Sequence, residues 1–172
     1  MMRSIPLFLA LVLSACGSSY RDTGVNMSSM AVFAPEKYAG LWYEIASYPT
    51  PFQAGCRQTT ADYQVTGPGR LSVQNRCLKD GAAVMIEGSA RVIGPGRLSV
   101  SLSGVPVAAP YWVLWVDDGY RTAVVGVPSG RAAWILNRTP DIPPDRLAAA
   151  RRVLAFNGYD LEALQMTEQG TP

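Results

Sequence analysis

The residues best able to do chemistry in this chain are its cysteines and acids, because the sequence contains no histidine. Without an imidazole there is no Ser-His or Cys-His pair, no histidine-ligated zinc site and no ordinary general base near neutral pH. The one adjacent acid pair is Asp117-Asp118, and neighbouring side chains on a strand point to opposite faces. We therefore expect no catalytic residue, no metal site and no cofactor, with Asp117 as the residue to test for catalysis.

The three cysteines need separate explanations because their number is odd. Cys16 follows a short basic start and an apolar run over residues 5–13. That run is shorter than the ~20 residues of a membrane-spanning helix but has the length of a signal peptide's apolar region. The residues Leu-Ser-Ala-Cys at 13–16 resemble a bacterial lipobox, in which the cysteine is lipidated and begins the mature chain. The alternative is an ordinary signal peptide that ends beside a cysteine.

The lipobox resemblance implies a particular organisation of the first 33 residues. Residues 1–15 would be a lipoprotein signal peptide, and residues 16–33 a lipidated cysteine with a flexible, serine-rich tether. Two or three acyl chains would anchor the protein stably to a membrane that it does not span. Gly17 follows the cysteine where some lipoproteins have aspartate, and this resembles lipoproteins sent to the outer membrane. We therefore expect an outer-membrane lipoprotein of the bacterial envelope that faces the periplasm.

The other two cysteines, Cys56 and Cys77, should oxidise in the periplasm. Two predicted strands, 58–66 and 70–78, turn around Gly-Pro-Gly at 67–69 and bring the two cysteines nearly opposite each other. We expect a disulfide that closes a loop of about 22 residues and stabilises the fold by ~3 kcal/mol in the chain-entropy model. A redox-active pair is the alternative, but the Cys-X-X-Cys spacing of such pairs is missing.

Composition favours a single globular domain without nucleic-acid affinity. The chain has 172 residues, of which 48% are hydrophobic, and 15 basic residues against 13 acidic ones give a net charge of +2. A chain of this length suits one domain with a sizeable core. So small a basic surplus gives no reason to expect a nucleic-acid partner.

The elements that must position these residues are short strands with one helix. Period-two alternation and turn residues predict eight strands, at 40–48, 58–66, 70–78, 83–93, 97–103, 111–117, 121–128 and 132–138. The string Gly-Pro-Gly-Arg-Leu-Ser-Val occurs at 67–73 and again at 94–100, which predicts the same turn and strand start used twice. A helix is predicted from about Pro144 to Asn157. Residues 34–172 are therefore predicted to form an all-β, eight-stranded, antiparallel up-and-down barrel with this C-terminal helix packed outside.

Three motifs resemble those of the lipocalin family. Residues 40–46, Gly-Leu-Trp-Tyr-Glu-Ile-Ala, resemble the Gly-X-Trp-Tyr-Glu signature that opens the lipocalin barrel. Residues 134–140, Trp-Ile-Leu-Asn-Arg-Thr-Pro, resemble the family's third motif, which ends the last barrel strand in arginine. The second motif matches loosely over residues 111–120, because its usual Thr-Asp-Tyr is not intact. With the lipobox added, the sequence is similar to bacterial outer-membrane lipoprotein lipocalins.

The motif pair also predicts how one end of the barrel closes. Trp42 would plug that end, and the guanidinium of Arg138 would stack over its ring in a cation–π contact of about 0.5–2 kcal/mol. Gly40 would let the chain pass close to this plug without a Cβ. We therefore interpret Gly40, Trp42 and Arg138 as structural residues.

Strand alternation predicts which side chains face the barrel interior. An eight-stranded barrel either fills with side chains or holds one small ligand, and the lipocalin resemblance favours a cavity. The candidate ligand-binding residues form an apolar and aromatic wall: Tyr63, Leu98, Val100, Tyr111, Val113, Trp115, Trp134 and Leu136. One bulge would invert this alternation beyond it.

The function that this resemblance implies is the binding and transport of small amphiphilic lipids beside a membrane. The expected partners are a fatty acid or lysophospholipid in the barrel and the membrane itself, through the anchor on Cys16. The role would be storage, transport or envelope maintenance. Two alternatives are a filled-barrel scaffold lipoprotein and, less favoured, a lipocalin-like enzyme acting on a lipid or pigment.

Overall fold

The computed structural model describes residues 19–170, so the signal peptide and Cys16 lie outside the described residues. A short helix, α1, precedes the barrel strands, and a longer helix, α2, follows them. The elements are α1 Pro35–Tyr38, β1 Gly40–Ser47, a 3₁₀ turn Pro51–Gln53, β2 Arg57–Gly67, β3 Arg70–Lys79, β4 Ala82–Gly94, β5 Arg97–Leu102, β6 Ala109–Val116, β7 Thr122–Gly126, β8 Ala133–Asn137, α2 Pro144–Phe156 and β9 Gln165–Met166.

The eight long strands form one closed antiparallel barrel. Consecutive strands pair from β2 to β8, and β1 pairs with β8 on one side and with β2 on the other. Closure leaves no long open edge, which is the hazard of an antiparallel sheet. The predicted up-and-down barrel with one C-terminal helix outside is confirmed.

The repeated Gly-Pro-Gly-Arg string forms the β2–β3 and β4–β5 turns. Gly69 and Gly96 take φ values of +62° and +60°, in the left-handed region that glycine enters without a steric penalty. Each turn is preceded by a one-residue register shift, between Val65 and Gly67 and between Val92 and Gly94. The shared sequence therefore builds the same bulged turn twice, as expected.

The two ends of the barrel differ in their connections. The closed end carries the start of β1 and the residues that follow β8. The open end carries four connections: 48–56 between β1 and β2, 80–81 between β3 and β4, 103–108 between β5 and β6, and 127–132 between β7 and β8. The closed end also carries the three other connections between barrel strands, 68–69, 95–96 and 117–121.

Helix α2 packs on the outside of the barrel through Ala150 and Leu154, both fully buried. Their neighbours are the outward-facing side chains of β1 and β6–β8, among them Ile45, Leu114 and Ile135. Pro144 lies in the first turn of the helix, where a backbone N–H has no intrahelical partner, so the missing N–H of proline costs no hydrogen bond. Within residues 19–170 no helix is both long enough and apolar enough to cross a bilayer.

The segment before the barrel is packed over residues 19–33, and this corrects the flexible tether predicted for that part of residues 16–33. The Tyr20 N–H donates to the Gly130 carbonyl at 2.8 Å, and the Met30 N–H donates to the Val113 carbonyl at 2.9 Å. Arg21 is buried, and its Nε donates to the Asn157 carbonyl at 2.7 Å. Residues 19–33 therefore run along the outer wall from the open end to the closed end.

The reason for this misprediction is that the small, polar residues of the segment are held by a few strong contacts. The Tyr20 ring stacks on Tyr48 with centroids 5.0 Å apart. The Arg21 guanidinium donates to backbone carbonyls of the α2 end, of the β7–β8 connection and of Val25, so each of its nitrogens has a partner despite burial. Low hydropathy alone does not reveal such long-range partners.

The C-terminal tail fills a gap in the barrel wall. Strands β1 and β2 pair only between 40–43 and 60–63, and above this point β9 takes the place of β2 beside β1. The Gln58 N–H donates to the Glu168 carbonyl at 2.7 Å. The Gln169 side-chain amide donates to the Glu44 and Thr59 carbonyls at 2.7 and 3.0 Å. The tail therefore joins the two strands where they separate.

Cys56 and Cys77 form the predicted disulfide, with Cα atoms 5.4 Å apart and a sequence separation of 21. Pairing of Arg57 with Leu78 across β2 and β3 places the two cysteines beside each other. The bond fastens the 48–56 connection to the β3–β4 hairpin at the open end.

Tyr159 joins the end of α2 to the β7–β8 connection. Its hydroxyl donates to the Val127 and Ala132 carbonyls at 2.9 and 3.1 Å and accepts from the Val127 N–H at 3.0 Å. Burial raises the pKa of Tyr159 to about 12, despite the opposing hydrogen bond from Val127 and the charge of Arg21.

Replacing the disulfide should lower stability without changing the fold. We expect the double variant Cys56→Ser, Cys77→Ser to lose ~3 kcal/mol of unfolding free energy, since the unfolded chain regains the entropy of an open loop. Urea titration followed by tryptophan fluorescence measures this loss. The unaltered protein under reducing conditions serves as the control and should match the variant. Equal stability of the oxidised protein and the variant would contradict the prediction.

The burial of Tyr159 predicts a loss of stability at alkaline pH. Tyrosine in the unfolded chain ionises near pH ~10, whereas folded Tyr159 keeps its proton until about pH 12. A rise in pH through this window therefore favours unfolding. Tyr159→Phe should remove about 1 kcal/mol of the decline in unfolding free energy between about pH 9 and 11. Urea titrations of both proteins across that range test this, and parallel pH profiles would refute it.

Candidate functional site

The closed end of the barrel is sealed by Trp42 and Arg138. Trp42 is fully buried, and the Arg138 guanidinium carbon lies 3.7 Å from the centroid of its ring. The same guanidinium donates to the Leu41 and Ala39 carbonyls, both at 2.9 Å. Gly40, at φ +99°, lies so close that a Cβ there would meet Arg138 Nη1 at 3.2 Å. The stacking and the close approach expected from the motif pair are both present.

The barrel interior above this plug divides into two zones. Toward the closed end the inward side chains are fully buried and fill the space, as Leu71, Leu98 and Val113 do. Toward the open end the inward side chains are only partly buried. This upper zone comprises Val100, Leu102, Tyr111 and Trp134. A ligand that enters through the open end would therefore contact an apolar and aromatic wall in the upper zone.

Most of the sequence-predicted ligand-binding residues face the interior. The structure brings seven of them together in the inner cluster: Tyr63, Leu98, Val100, Tyr111, Val113, Trp134 and Leu136. Of these, Val100, Tyr111 and Trp134 lie in the partly exposed upper zone, and the others are buried. Only three of the seven inward-facing residues predicted to bind a ligand are therefore accessible from the open end.

Trp115 does not face the interior, which corrects the expectation for this residue. The register of β6 against β7 shifts between Val113 and Trp115, and such a bulge inverts the alternation of side chains beyond it. Trp115 consequently packs with the outer cluster beside α2, and Val116 returns to the inner cluster.

Three tyrosines form a hydrogen-bonded group inside the barrel. The Tyr63 hydroxyl donates to the Tyr111 hydroxyl at 2.9 Å, and the Tyr38 and Tyr111 hydroxyls lie 2.7 Å apart. Burial raises the pKa of Tyr63 to about 12 and also holds those of Tyr38 and Tyr111 well above the usual value. All three hydroxyls are therefore neutral at physiological pH.

This group has one hydrogen-bond donor to spare. Three hydroxyl protons serve two mutual hydrogen bonds, so one proton on Tyr38 or Tyr111 has no acceptor among the described residues. An unused donor in an apolar surrounding is costly unless it finds a partner. The arrangement can therefore donate a hydrogen bond to an oxygen atom of a molecule in the upper zone.

Two residues at the rim of the upper zone whose contacts the sequence did not predict are Gln53 and Glu44. Gln53, in the 48–56 connection, accepts a hydrogen bond from Trp134 Nε1 at 3.2 Å and donates to Glu44 Oε2 at 2.8 Å. It thereby ties the open-end connection to the inner wall. Gln53 and Trp134 are 81 residues apart, and no sequence pattern links them. The only signal was that Glu44 belongs to the first motif.

Glu44 is buried and is held by neutral donors from separate parts of the chain. Besides Gln53, the hydroxyls of Ser47 and Thr167 donate to its Oε1 at 2.8 and 2.6 Å. A carboxylate can accept several hydrogen bonds at once. Glu44 thus connects β1, the 48–56 connection and the C-terminal tail at the rim of the upper zone.

Asp117 lies in the closed-end turn between β6 and β7, remote from the open end. Its carboxylate accepts hydrogen bonds from the Thr122 N–H at 2.7 Å and from Arg121 Nε at 2.7 Å. Burial alone would raise the pKa of Asp117, but these hydrogen bonds outweigh it and hold the pKa below its usual value. Its oxygens are therefore engaged in shaping the turn, which gives no support to a catalytic role.

Comparison with known proteins agrees with this geometry. Residues 34–169 match the lipocalin-like domain family. The chain is 35% identical over 145 residues to temperature-induced lipocalin-1 of Arabidopsis thaliana, covering 78% of each protein. It is 33% identical over 147 residues to apolipoprotein D of Macaca fascicularis, covering 80% of this chain and 77% of that protein.

A bacterial relative covers nearly the whole chain. The outer membrane lipoprotein Blc of Escherichia coli is 33% identical over 177 residues, with 98% of each protein covered. Among solved structures, insecticyanin of Manduca sexta superimposes with a TM-score of 0.70 at 20% identity, covering 84% of this chain and 85% of that one. The family match spans the whole barrel and its C-terminal tail, and the chain therefore belongs to the lipocalin family.

Proposed function

We propose that this lipocalin binds small amphiphilic lipids, such as fatty acids and lysophospholipids, in the upper zone of its barrel. The observation that carries the proposal is the partly exposed inner wall that includes Val100, Tyr111 and Trp134. An acyl chain gains about 0.8 kcal/mol for each CH₂ removed from water against such a wall. The function is non-covalent binding for storage, transport or maintenance of the envelope.

The polar group of an amphiphile has two candidate partners. Its oxygen atoms can accept the spare hydrogen bond of the Tyr38–Tyr63–Tyr111 group, or they can stay near the open end in water. A single oriented donor within an otherwise apolar pocket is typical of sites that bind small lipophilic molecules.

The second part of the proposal concerns location. Cys16 carries the lipid anchor, and the protein is attached to the outer membrane of a bacterium, facing the periplasm. The lipobox resemblance at residues 13–16 supports this, as does a relative described as an outer membrane lipoprotein that aligns over 98% of this chain. Placement beside a membrane gives a lipid-binding barrel its source of ligand.

Two tryptophans, one inside and one outside the barrel, provide a matched test of the binding site. Trp134→Leu should raise the Kd for a fluorescent fatty acid about tenfold, because an inner aromatic contact worth ~1.4 kcal/mol is lost. Trp115→Leu removes the same side chain from the outer wall and should leave Kd unchanged. Fluorescence titration of both variants measures the difference, and an equal effect of the two would contradict the assigned pocket.

Direct binding decides between a lipid carrier and a filled-barrel scaffold. We expect saturable binding of the fluorescent fatty acid and its displacement by a lysophospholipid. Mass spectrometry of gently purified protein should show a co-purifying amphiphile. Absence of saturable binding to either lipid would reject the proposed function.

A further inference from the structure

The first described residues lie against the open end of the barrel. The Ser19 hydroxyl donates to the Ser129 carbonyl at 3.2 Å, and the Tyr20 N–H donates to the Gly130 carbonyl at 2.8 Å. The Tyr20 hydroxyl donates to the Pro49 carbonyl at 2.9 Å. These carbonyls belong to the 127–132 and 48–56 connections, so Ser19 is held at the rim through which a ligand would enter.

The proposed lipid anchor cannot be far from this rim. Cys16 precedes Ser19 by three residues, and three residues of fully extended chain span at most about 11 Å. Because Ser19 is fixed to the open end, acyl chains on Cys16 start within that distance of it. The closed end lies at the other end of the strands, so the attachment point of the anchor is nearer to the open end.

The rim itself exposes large apolar side chains. Phe52 and Val107 are 68% and 71% exposed, and they belong to two different connections of the open end. Val84 and Met85, near the tip of the β3–β4 hairpin, and Val105 are also exposed. Exposed apolar side chains are typical of a surface that meets a partner or a membrane, but Val32, Leu41, Val65 and Ile93 near the closed end are also exposed. Apolar exposure alone therefore does not decide which end meets a membrane.

The charge distribution distinguishes the two ends more sharply than apolar exposure does. The open-end segments 48–56, 80–86, 103–109 and 127–132 contain two charged residues, Asp80 and Arg131. The shorter closed-end segments 34–39, 117–121 and 138–141 contain seven. They are Glu36, Lys37, Asp117, Asp118, Arg121, Arg138 and Asp141. Exposed Arg57 and Glu168 flank the open end, but the tips of its connections are poor in charge. Because desolvation of charges opposes insertion into lipid, the open end is better suited than the closed end to enter a bilayer surface.

From these observations we propose that the open end of the barrel faces, and partly inserts into, the membrane leaflet that holds Cys16. This rests on the proposed lipidation of Cys16 and extends it to an orientation. The apolar rim then contacts the acyl region, and the entrance to the upper zone opens directly onto lipid. An amphiphile can then pass between leaflet and barrel without entering water. Transfer into water is the slow step when a long-chain lipid leaves a membrane.

Two valines of similar exposure provide a matched pair of probes. Val107 lies on the open-end rim and Val32 beside the closed end, and both are well exposed. Val107→Trp and Val32→Trp would each be made in the full lipidated chain. Each protein would be reconstituted into vesicles of phosphatidylethanolamine and phosphatidylglycerol whose acyl chains carry bromine, a short-range quencher. The unaltered protein provides the background of the native tryptophans.

The expected result is quenching at one end only. Fluorescence added by Val107→Trp should be at least halved relative to vesicles without bromine, whereas that added by Val32→Trp should be unchanged. Equal quenching of the two probes, or quenching of the Val32→Trp probe alone, would overturn the orientation. An unquenched Val107→Trp protein that elutes as a dimer in detergent would show that a second copy covers the rim, which also overturns it.

Two further measurements separate failure of the orientation from failure of the proposed function. Mass spectrometry of Cys16 establishes acylation, and an unmodified cysteine would overturn the orientation at its premise. Fatty-acid titration of the same preparations reports binding independently of quenching. Val107→Lys should slow lipid transfer from vesicles about tenfold while leaving Kd in solution unchanged, and Val32→Lys should alter neither. An unchanged rate of lipid transfer in Val107→Lys would contradict the direct passage of lipid from the leaflet into the barrel.

Discussion

The contact between Arg138 and Trp42 is the constraint on which the rest of the barrel depends. One guanidinium stacks on the ring of the first strand and donates to the Leu41 and Lys37 carbonyls, which lie 97 and 101 residues earlier in the chain. It thus fastens the end of the last barrel strand to the start of the first and to the short helix before it. Because this contact seals one end, the interior has a single entrance. Because of that asymmetry, side chains fill the interior near the seal, whereas the interior near the entrance is accessible to a ligand.

The tyrosines lie where the packed and accessible zones meet. Their rings add apolar surface to the filled zone, and the hydroxyls of Tyr38, Tyr63 and Tyr111 satisfy one another almost completely. Three hydroxyls in an apolar interior would be costly if unpaired, and mutual bonding keeps that cost low. The remaining unshared proton gives this boundary its polarity. A ligand in the upper zone would therefore meet a floor that is aromatic with a single polar point.

Local patterns predicted the parts of this structure that local physics determines. Alternation of side chains predicted the strands, the repeated Gly-Pro-Gly-Arg string predicted two equal turns, and the position of the cysteines on one hairpin predicted their bond. The predictions failed where contacts between distant residues, or one inserted residue in a strand, determine the structure. The bulge before Trp115 has no signal in the alternation around it. Arg21 and Gln53 bind carbonyls and side chains up to 136 residues away, so neither the packed leading segment nor the rim contacts were predictable.

The gap between β1 and β2 has a consequence for how the protein folds. Its wall is completed by Thr167, Glu168 and Gln169, and the contacts of Thr167 and Gln169 with Glu44 span 123 and 125 residues. Closing so long a loop costs more entropy than forming a hairpin between adjacent strands. We therefore expect the hairpins to form first and the tail to dock late in folding. Glu44 then gains its full set of hydrogen-bond donors only when the barrel wall closes.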